Sequence, residues 1–279
     1  MSGFSSHWLS LREPIDHQSR NAQLQQKLVQ HFATYQRLTI VDLGAGTGSN
    51  LRALAPFLSD QQNWRLIDYD RDLLQLARNL ICKWADDIIQ NETHLLIEKA
   101  GKQISISFES HDLAQGAASI IHSSCDVVTA AAFFDLVSAS WIEAFCRDLV
   151  HYRLPLFTVL SYDGEEHWTP PHSADRDMLQ AFHKHQASDK GFGAAAGPRA
   201  VEIMRSCFQA LGYEVDTGAS PWQITSNNQD LMIALAEGSA QAVRETGLVE
   251  AERIAAWLSQ HRAAQQCVIG HHDLFARLK

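Results

Sequence analysis

The sequence predicts an α/β protein: an open, largely parallel sheet with helices on both faces. Three observations carry the prediction. Short apolar runs recur along the chain: RLTIVDL (37–43), WRLIDY (64–69), ISISFES (104–110), DVVTAAA (126–132) and LPLFTVLSY (154–162). Longer stretches with helical periodicity separate them, and strands joined through helices pair in parallel. The first run ends in a glycine turn, GAGTG (44–48), out of which a helix opens directly.

In order along the chain, the segment 1–36 reads as an N-terminal helical lid. A helix is predicted over 50–58 and a second over 70–89, where Leu73, Leu74, Ala77, Leu80, Ile81 and Trp84 recur at helical spacing. Residues 95–99, then Ala-Gly-Lys, then 103–110 read as a hairpin. Further helices are expected over 139–151, over 198–211, where Pro198 suits a first turn, and over 229–244 and 248–263. A last strand is expected at 267–272, which brings the count to seven. Between 163 and 197 the pattern breaks down, apart from a helix-like piece at 175–185; a long irregular excursion in a compact domain suits a substrate-covering insertion. The reading is one domain over 1–279: lid 1–36, ligand-binding core 37–162, insertion 163–197, and a C-terminal part 198–279 that completes the sheet with helices inserted.

Composition bounds the function. The 279 residues are 46% hydrophobic, enough for a sizeable core. A formal charge of −9 argues against a surface that tracks phosphates, so no nucleic-acid partner is expected. The N-terminus MSGFSSHWLSLREP has no apolar h-region, and no run approaches eighteen uninterrupted apolar residues, so neither secretion nor a membrane partner is expected. Five cysteines (Cys82, Cys125, Cys146, Cys207, Cys267) without CxxC spacing suggest reduced thiols in a cytoplasm rather than disulfides or thiolate-bound zinc.

The glycine turn carries the chemistry. Gly44, Gly46 and Gly48 let the chain turn sharply and let a ligand lie against bare backbone. A dinucleotide fingerprint wants Gly or Ala at the sixth position, which is Ser49 here. Asp42, two residues before the first glycine, would repel a pyrophosphate and suits an ammonium. Asp68 ends the second strand, where ligands of open α/β sheets bind and an acid can accept both hydroxyls of a ribose; Asp70 is its competitor but better suits a helix cap. Asp112 in SHDLA follows the third parallel strand and suits either an adenine amine, with Leu113 against the ring, or a plain turn cap. An ammonium, a ribose and an adenine together describe S-adenosylmethionine.

These residues resemble the class I S-adenosylmethionine-dependent methyltransferase family. VDLGAGTGSN is similar to its first motif, LIDYDRDLLQLA to its second, SHDLA to its third, and CDVVTAAAFFDLVSASWIEAF to its fourth strand and following helix. The family pattern D-x-S-x-x-x-L-x-x-A ends on Ala77 when it starts at Asp68, with Asp70 in place of the usual serine. The resemblance covers about 37–162 and implies a Rossmann-like seven-stranded sheet of order 3-2-1-4-5-7-6 with an antiparallel last strand. It implies S-adenosyl-L-methionine as cofactor. Asp42, Gly44, Ala45, Gly46 and Gly48 would line its methionine part, Asp68 and Tyr69 its ribose, and Asp112 and Leu113 its adenine, while Ala130 and Ala131 would pass the sulfonium. Arg12 or Arg20 of the lid would bind its carboxylate.

Methyl transfer is an in-line displacement that needs alignment and exclusion of water rather than a dedicated nucleophile. The nucleic-acid amino-methylation signature Asn/Asp-Pro-Pro-Tyr/Phe is replaced by AAAFFD, which favours a small-molecule acceptor methylated at O, N or C. Candidates for a general base or an anchor are Tyr162, Asp163, His167, His183, His185 and Lys190, with Lys190 and Arg199 flanking GFGAAAG as possible anchors for an acidic acceptor. The pairs His183/His185 and His271/His272 have no carboxylate or cysteine at telling spacing, so no metal is expected. The rival functions are an aminopropyl-type transferase on the same fold, a non-catalytic S-adenosylmethionine-binding protein and an NAD-dependent oxidoreductase, the last disfavoured by Ser49 and Asp42.

Overall fold

Helices α1 (Ser6–Ser19) and α2 (Ala22–His31) lead into the first strand, β1 (Arg37–Leu43), in the computed structural model, which describes residues 4–91, 94–121, 124–189 and 191–279. Then come α3 (Ser49–Leu54), β2 (Gln61–Asp68), α4 (Arg71–Trp84) and the strands β3 (Asp87–Asn91), β4 (Leu95–Lys99) and β5 (Lys102–Ser110). They are followed by β6 (Val127–Ala131), α5 (Ala139–His151), β7 (Leu156–Thr169), α6 (Asp175–Gln186), α7 (Ala200–Ala210) and β8 (Tyr213–Ala219). The chain closes with β9 (Trp222–Thr225), α8 (Gln229–Thr246), α9 (Ala251–His261) and β10 (Gln266–Leu278).

The sheet has ten strands, not the seven expected, in the order β3-β4-β5-β2-β1-β6-β7-β10-β8, with β9 paired to β10. The runs counted in the sequence omit β3, β8 and β9. The helical pattern over 70–89 hid β3: α4 stops at Trp84, Ala85 turns extended, and the Asp86 carboxylate accepts from Lys99 Nζ and the Ala100 N–H, which starts the hairpin. WQIT, the whole of β9, is too short to show a period. Within the ten, β5-β2-β1-β6-β7-β10-β8 follows the 3-2-1-4-5-7-6 order, with β10 antiparallel to both β7 and β8.

Two apolar layers flank the sheet. On one face Ile40, Trp64, Phe157 and Val159 pack with Ile15 and Leu28 of α1 and α2, Ile81 of α4, and residues of α6, α8 and α9. On the other, Val41, Leu43, Val128 and Leu156 pack with Phe145 of α5 and Phe208 of α7.

A bulge in β7 decides which side chains reach the first face. Thr158 lies opposite Leu274 and Ser161 opposite His272, so β7 carries one residue more than β10, and Leu160 takes φ +60°. Asp273 holds it there: Oδ1 accepts from the Leu160 N–H at 2.8 Å and from Ser220 Oγ at 2.6 Å, and Oδ2 accepts from the Asn21 N–H at 2.8 Å. Because strand side chains alternate, the extra residue switches parity. Phe157 and Val159 face α1 and α2 below it, and Tyr162 and Trp168 take that face above it. The strand continues to Thr169 and α6 fills 175–186, so much of the stretch expected to be irregular is regular.

Candidate functional site

The glycine turn sits at the carboxyl edge between β1 and β2. Gly44, Gly46 and Gly48 have φ of +61°, +51° and +73°, left-handed values that only glycine adopts without strain. A Cβ on Gly44 would lie 2.8 Å from the Phe133 ring, and one on Gly48 3.1 Å from Ile81. Among the described residues, Leu9 of α1 alone comes within 4 Å of where a Cβ on Gly46 would lie, at 3.5 Å, so the N-terminal helix roofs the turn at that point. That helix is tied down by His17 Nε2 at 2.9 Å from Ser49 Oγ, and by Glu13 paired with Arg52. Arg52 in turn donates to the Thr47 carbonyl.

Four carboxylates lie at or just past the carboxyl ends of β1, β2 and β5. Asp42 is buried in β1; its Oδ1 accepts from Asn50 Nδ2 at 2.7 Å, and its Oδ2 has no hydrogen-bond partner among the described residues. Burial pushes Asp42 up to about 7, against the pull of Asn50 and Arg20 and with a further push from Asp68. Asp68 closes the turn from β2: Oδ2 accepts from the Gly46 N–H at 2.7 Å and Oδ1 from the Asp70 N–H at 2.9 Å. Its pKa too is raised by burial, with the two backbone hydrogen bonds opposing. Asp70 caps α4, accepting from the N–H groups of Asp72 and Leu73. Asp112 caps a short 3-10 turn, its Oδ1 accepting from the Ala114 N–H.

An aromatic wall closes the far side. Trp141 donates its indole N–H to the Leu113 carbonyl at 2.8 Å, and Phe133, Trp141 and Phe192 meet edge to face. Phe192 brings the glycine-rich loop after α6 onto this wall, and Asp189 fixes that loop by accepting from the Gly191 and Gly193 N–H groups. Tyr69 is 59% exposed beside Asp68; Leu113 is buried, as is Ala130, while Ala131 is half-buried at the end of β6.

Both lid arginines are engaged. Arg12 forms an ion pair with Asp16 at 2.8 Å and lies over the Trp222 ring. Arg20 donates from Nη1 to Asn50 Oδ1 at 2.8 Å, with Asp273, Asp16 and Asp42 all acting on it; its Nε has no partner among the described residues.

The catalytic candidates divide. Tyr162 and His183 come together, with Oη 3.1 Å from Nε2. His167 lies on the solvent side of β7, exposed, with Glu165 its neighbour at 3.7 Å. His185 pairs with Glu245 of α8, Asp163 lies 3.2 Å from His272, and Arg199 is exposed. Lys190 lies outside the described residues. Neither histidine pair converges: His183 and His185 take different partners, and His271 is buried with Nδ1 on the Ile269 carbonyl while His272 turns to Asp163. Among the described residues no three His, Cys, Asp or Glu side chains are grouped to hold a metal, and no helix is long and apolar enough to cross a membrane.

Sequence reasoning missed Asn50, Thr129, Phe133 and Glu166. Asn50 donates to both Asp42 and Thr129, and its place in the first turn after the glycines was the available signal. Glu166 accepts from the Tyr162 phenol at 3.0 Å, four residues along the same strand, a link that periodicity alone does not reveal.

No protein-family model matches the chain, and no curated protein matches it. Solved structures do. A candidate methyltransferase of Bacillus halodurans C-125 is 15% identical, over 91% of this chain and 97% of that one, with a TM-score of 0.51. A cyclopropane-fatty-acyl-phospholipid synthase-like protein of Lactobacillus casei ATCC 334 is 13% identical, over 95% and 98%, with a TM-score of 0.52. At such identities the likeness is one of fold. With the strand order and the glycine turn already described, it places the chain in one class of architecture: this protein has the class I methyltransferase fold.

Proposed function

We propose that the protein is an S-adenosylmethionine-dependent methyltransferase acting on a small-molecule acceptor. The observation that carries the reading is the placement of Asp42 and Asp68 at the ends of β1 and β2 and of Asp112 just after β5, with a turn between β1 and α3 in which three of five residues are glycines in left-handed conformation. The unpartnered Asp42 Oδ2 suits the ammonium of the cofactor's methionine part. Gly44, Ala45, Gly46 and Gly48 would carry that part along the turn. Asp68, already aligned by two backbone N–H groups, has lone pairs left for the ribose hydroxyls, and Tyr69 lies beside it. Asp112, Leu113 and the Phe133/Trp141 wall suit the adenine, and Ala130 and Ala131 leave room beside the sulfur. The cofactor supplies an electrophilic methyl group; the chain's part is to bind, orient and exclude water.

The acceptor would lie past the carboxyl end of β6 and beside the middle of β7, where Tyr162 and His183 meet. The charge of −9 supports a small acceptor rather than a nucleic acid.

One observation favours the aminopropyl reading as a second. Arg12 is paired with Asp16 and Arg20 is held by Asn50 among three carboxylates, which leaves the cofactor carboxylate without a ready cation. Calorimetry with S-adenosylmethionine, its decarboxylated form and NAD separates the readings. Binding of S-adenosylmethionine with tenfold or greater preference over the decarboxylated form supports methyl transfer; the opposite preference supports aminopropyl transfer, and binding of NAD alone defeats both.

A further inference from the structure

Above the bulge in β7, three polar side chains form a row. The Tyr162 phenol donates to Glu166 Oε1 at 3.0 Å and lies 3.1 Å from His183 Nε2. Tyr162 is buried among the rings of Phe182, His183 and His271, and Glu166 faces a small cleft with Trp168, Asp175, Phe182 and Trp257. The groups that act on Glu166 are Tyr162, Trp168 and Asp175, none of them a cation. A half-buried carboxylate without a cation is costly to ionise, and such groups concentrate where proton chemistry is done.

The surroundings grade the three groups. Burial pushes Glu166 up to about 7, against the hydrogen bond from Tyr162 and with Asp175 adding to the push. Burial and then Glu166, Asp163 and Asp135 hold the Tyr162 phenol far above its ordinary value, so it passes a proton on rather than keeping a negative charge. Burial lowers His183, with Glu165 and the Gly164 backbone opposing. His271, on the neighbouring strand, is held down at about 3 by burial and by Arg12, and stays neutral throughout.

We propose that Tyr162, Glu166 and His183 form a proton-transfer path serving an acceptor whose labile hydrogen sits on a heteroatom: Tyr162 touches the acceptor, Glu166 takes the phenolic proton, and on the return the proton passes back through the Tyr162 hydroxyl to half-buried His183 and so to solvent. This rests on the methyltransferase reading above. As the acceptor's lone pair bonds to the methyl carbon, the C–S bond breaks and its electron pair stays on sulfur. The acceptor's proton goes to Tyr162 Oη and the phenolic proton to Glu166 Oε1, so one carboxylate is neutralised for each sulfonium consumed. Tyr162 and Glu166 lie four residues apart on β7, on either side of a second irregularity where the strand's pairing with β10 shifts between Ile269 and His271.

The test reads protons and transfer separately, in the S-adenosylhomocysteine complex of the full chain and of Y162F and E166Q. NMR follows the His183 ring over about pH 5–9. The path predicts an inflection near neutrality, transmitted from Glu166, that is absent from both variants; superimposable His183 titrations in all three proteins overturn it. Catechol and trimethylamine serve as protic and aprotic acceptor probes. Catechol methylation falling about 100-fold or more in E166Q, with S-adenosylhomocysteine affinity unchanged, supports the path. Transfer preserved within about threefold in both variants, or confined to trimethylamine, overturns it. Where neither probe is methylated, the His183 titration decides alone. If the wild-type chain fails to bind S-adenosylhomocysteine, the methyltransferase reading falls instead.

Discussion

Asp42 is the residue at which stability and ligand binding pull apart. Its carboxyl, pushed up to about 7 by burial, holds a proton in the folded chain where the unfolded chain has lost it, between the ordinary carboxylate value and neutrality. Folding therefore takes up a proton in that window, and the stabilising contribution fades as pH rises through it. Asp42→Asn is expected to raise Tm at pH 8 relative to wild type, with the gap closing toward pH 4, as read by calorimetric melts. An ammonium seated on Oδ2 favours the ionised form, so S-adenosylhomocysteine affinity should climb between about pH 5 and 7 in the wild type and stay flat in Asp42→Asn. Asp68 is a simpler case. Asp68→Ala removes a charged acceptor and unties the Gly46 N–H, and a titration should show a Kd at least about tenfold weaker, or about 1.4 kcal/mol. An unchanged Kd removes Asp68 from the ribose site.

Among the elements, the bulged β7 has most to do with where chemistry is possible. The Asp273 carboxylate takes hydrogen bonds from α2's entry, from β7 and from the residue after β8, and so joins three parts of the chain at one buried point. Asp273→Ala leaves the buried Leu160 N–H and the part-buried Asn21 N–H without their acceptor, so urea unfolding should show a loss of at least about 2 kcal/mol. Ser220→Ala, which removes one donor and leaves the carboxylate its backbone partners, should cost about 1 kcal/mol. Equal losses in the two variants would mean that Asp273 does not hold the bulge. The roof over the glycine turn is the second such element: α1 reaches it through Leu9 and is anchored by the Glu13–Arg52 pair and by His17 on Ser49.

For the molecule as a whole, what could be read from the sequence was what is local in it. The strand–turn–helix at 37–54, the Asp70 cap and the helix over 139–151 follow from residues within a few positions of each other. Asp68 was legible because ligand sites of open sheets lie at strand ends, and its bond to Gly46 spans only 22 residues. Asp273 was not, since its partners Leu160 and Asn21 lie 113 and 252 residues away and nothing local marks the meeting. Glu166 escaped notice because the bulge that turns its strand inward comes from that same distant contact. The added strand β3 was hidden by a helical pattern that runs past its own end, where Asp86 draws the chain back toward Lys99. The proposed function rests on the glycine turn and the Asp42 and Asp68 carboxylates beside it, so one measurement bears on it most directly. Titrating the protein with S-adenosylhomocysteine in a calorimeter, with NAD as the control, should give saturable one-site binding for the first and none for the second; no heat from S-adenosylhomocysteine, or saturable binding of NAD, would contradict the account.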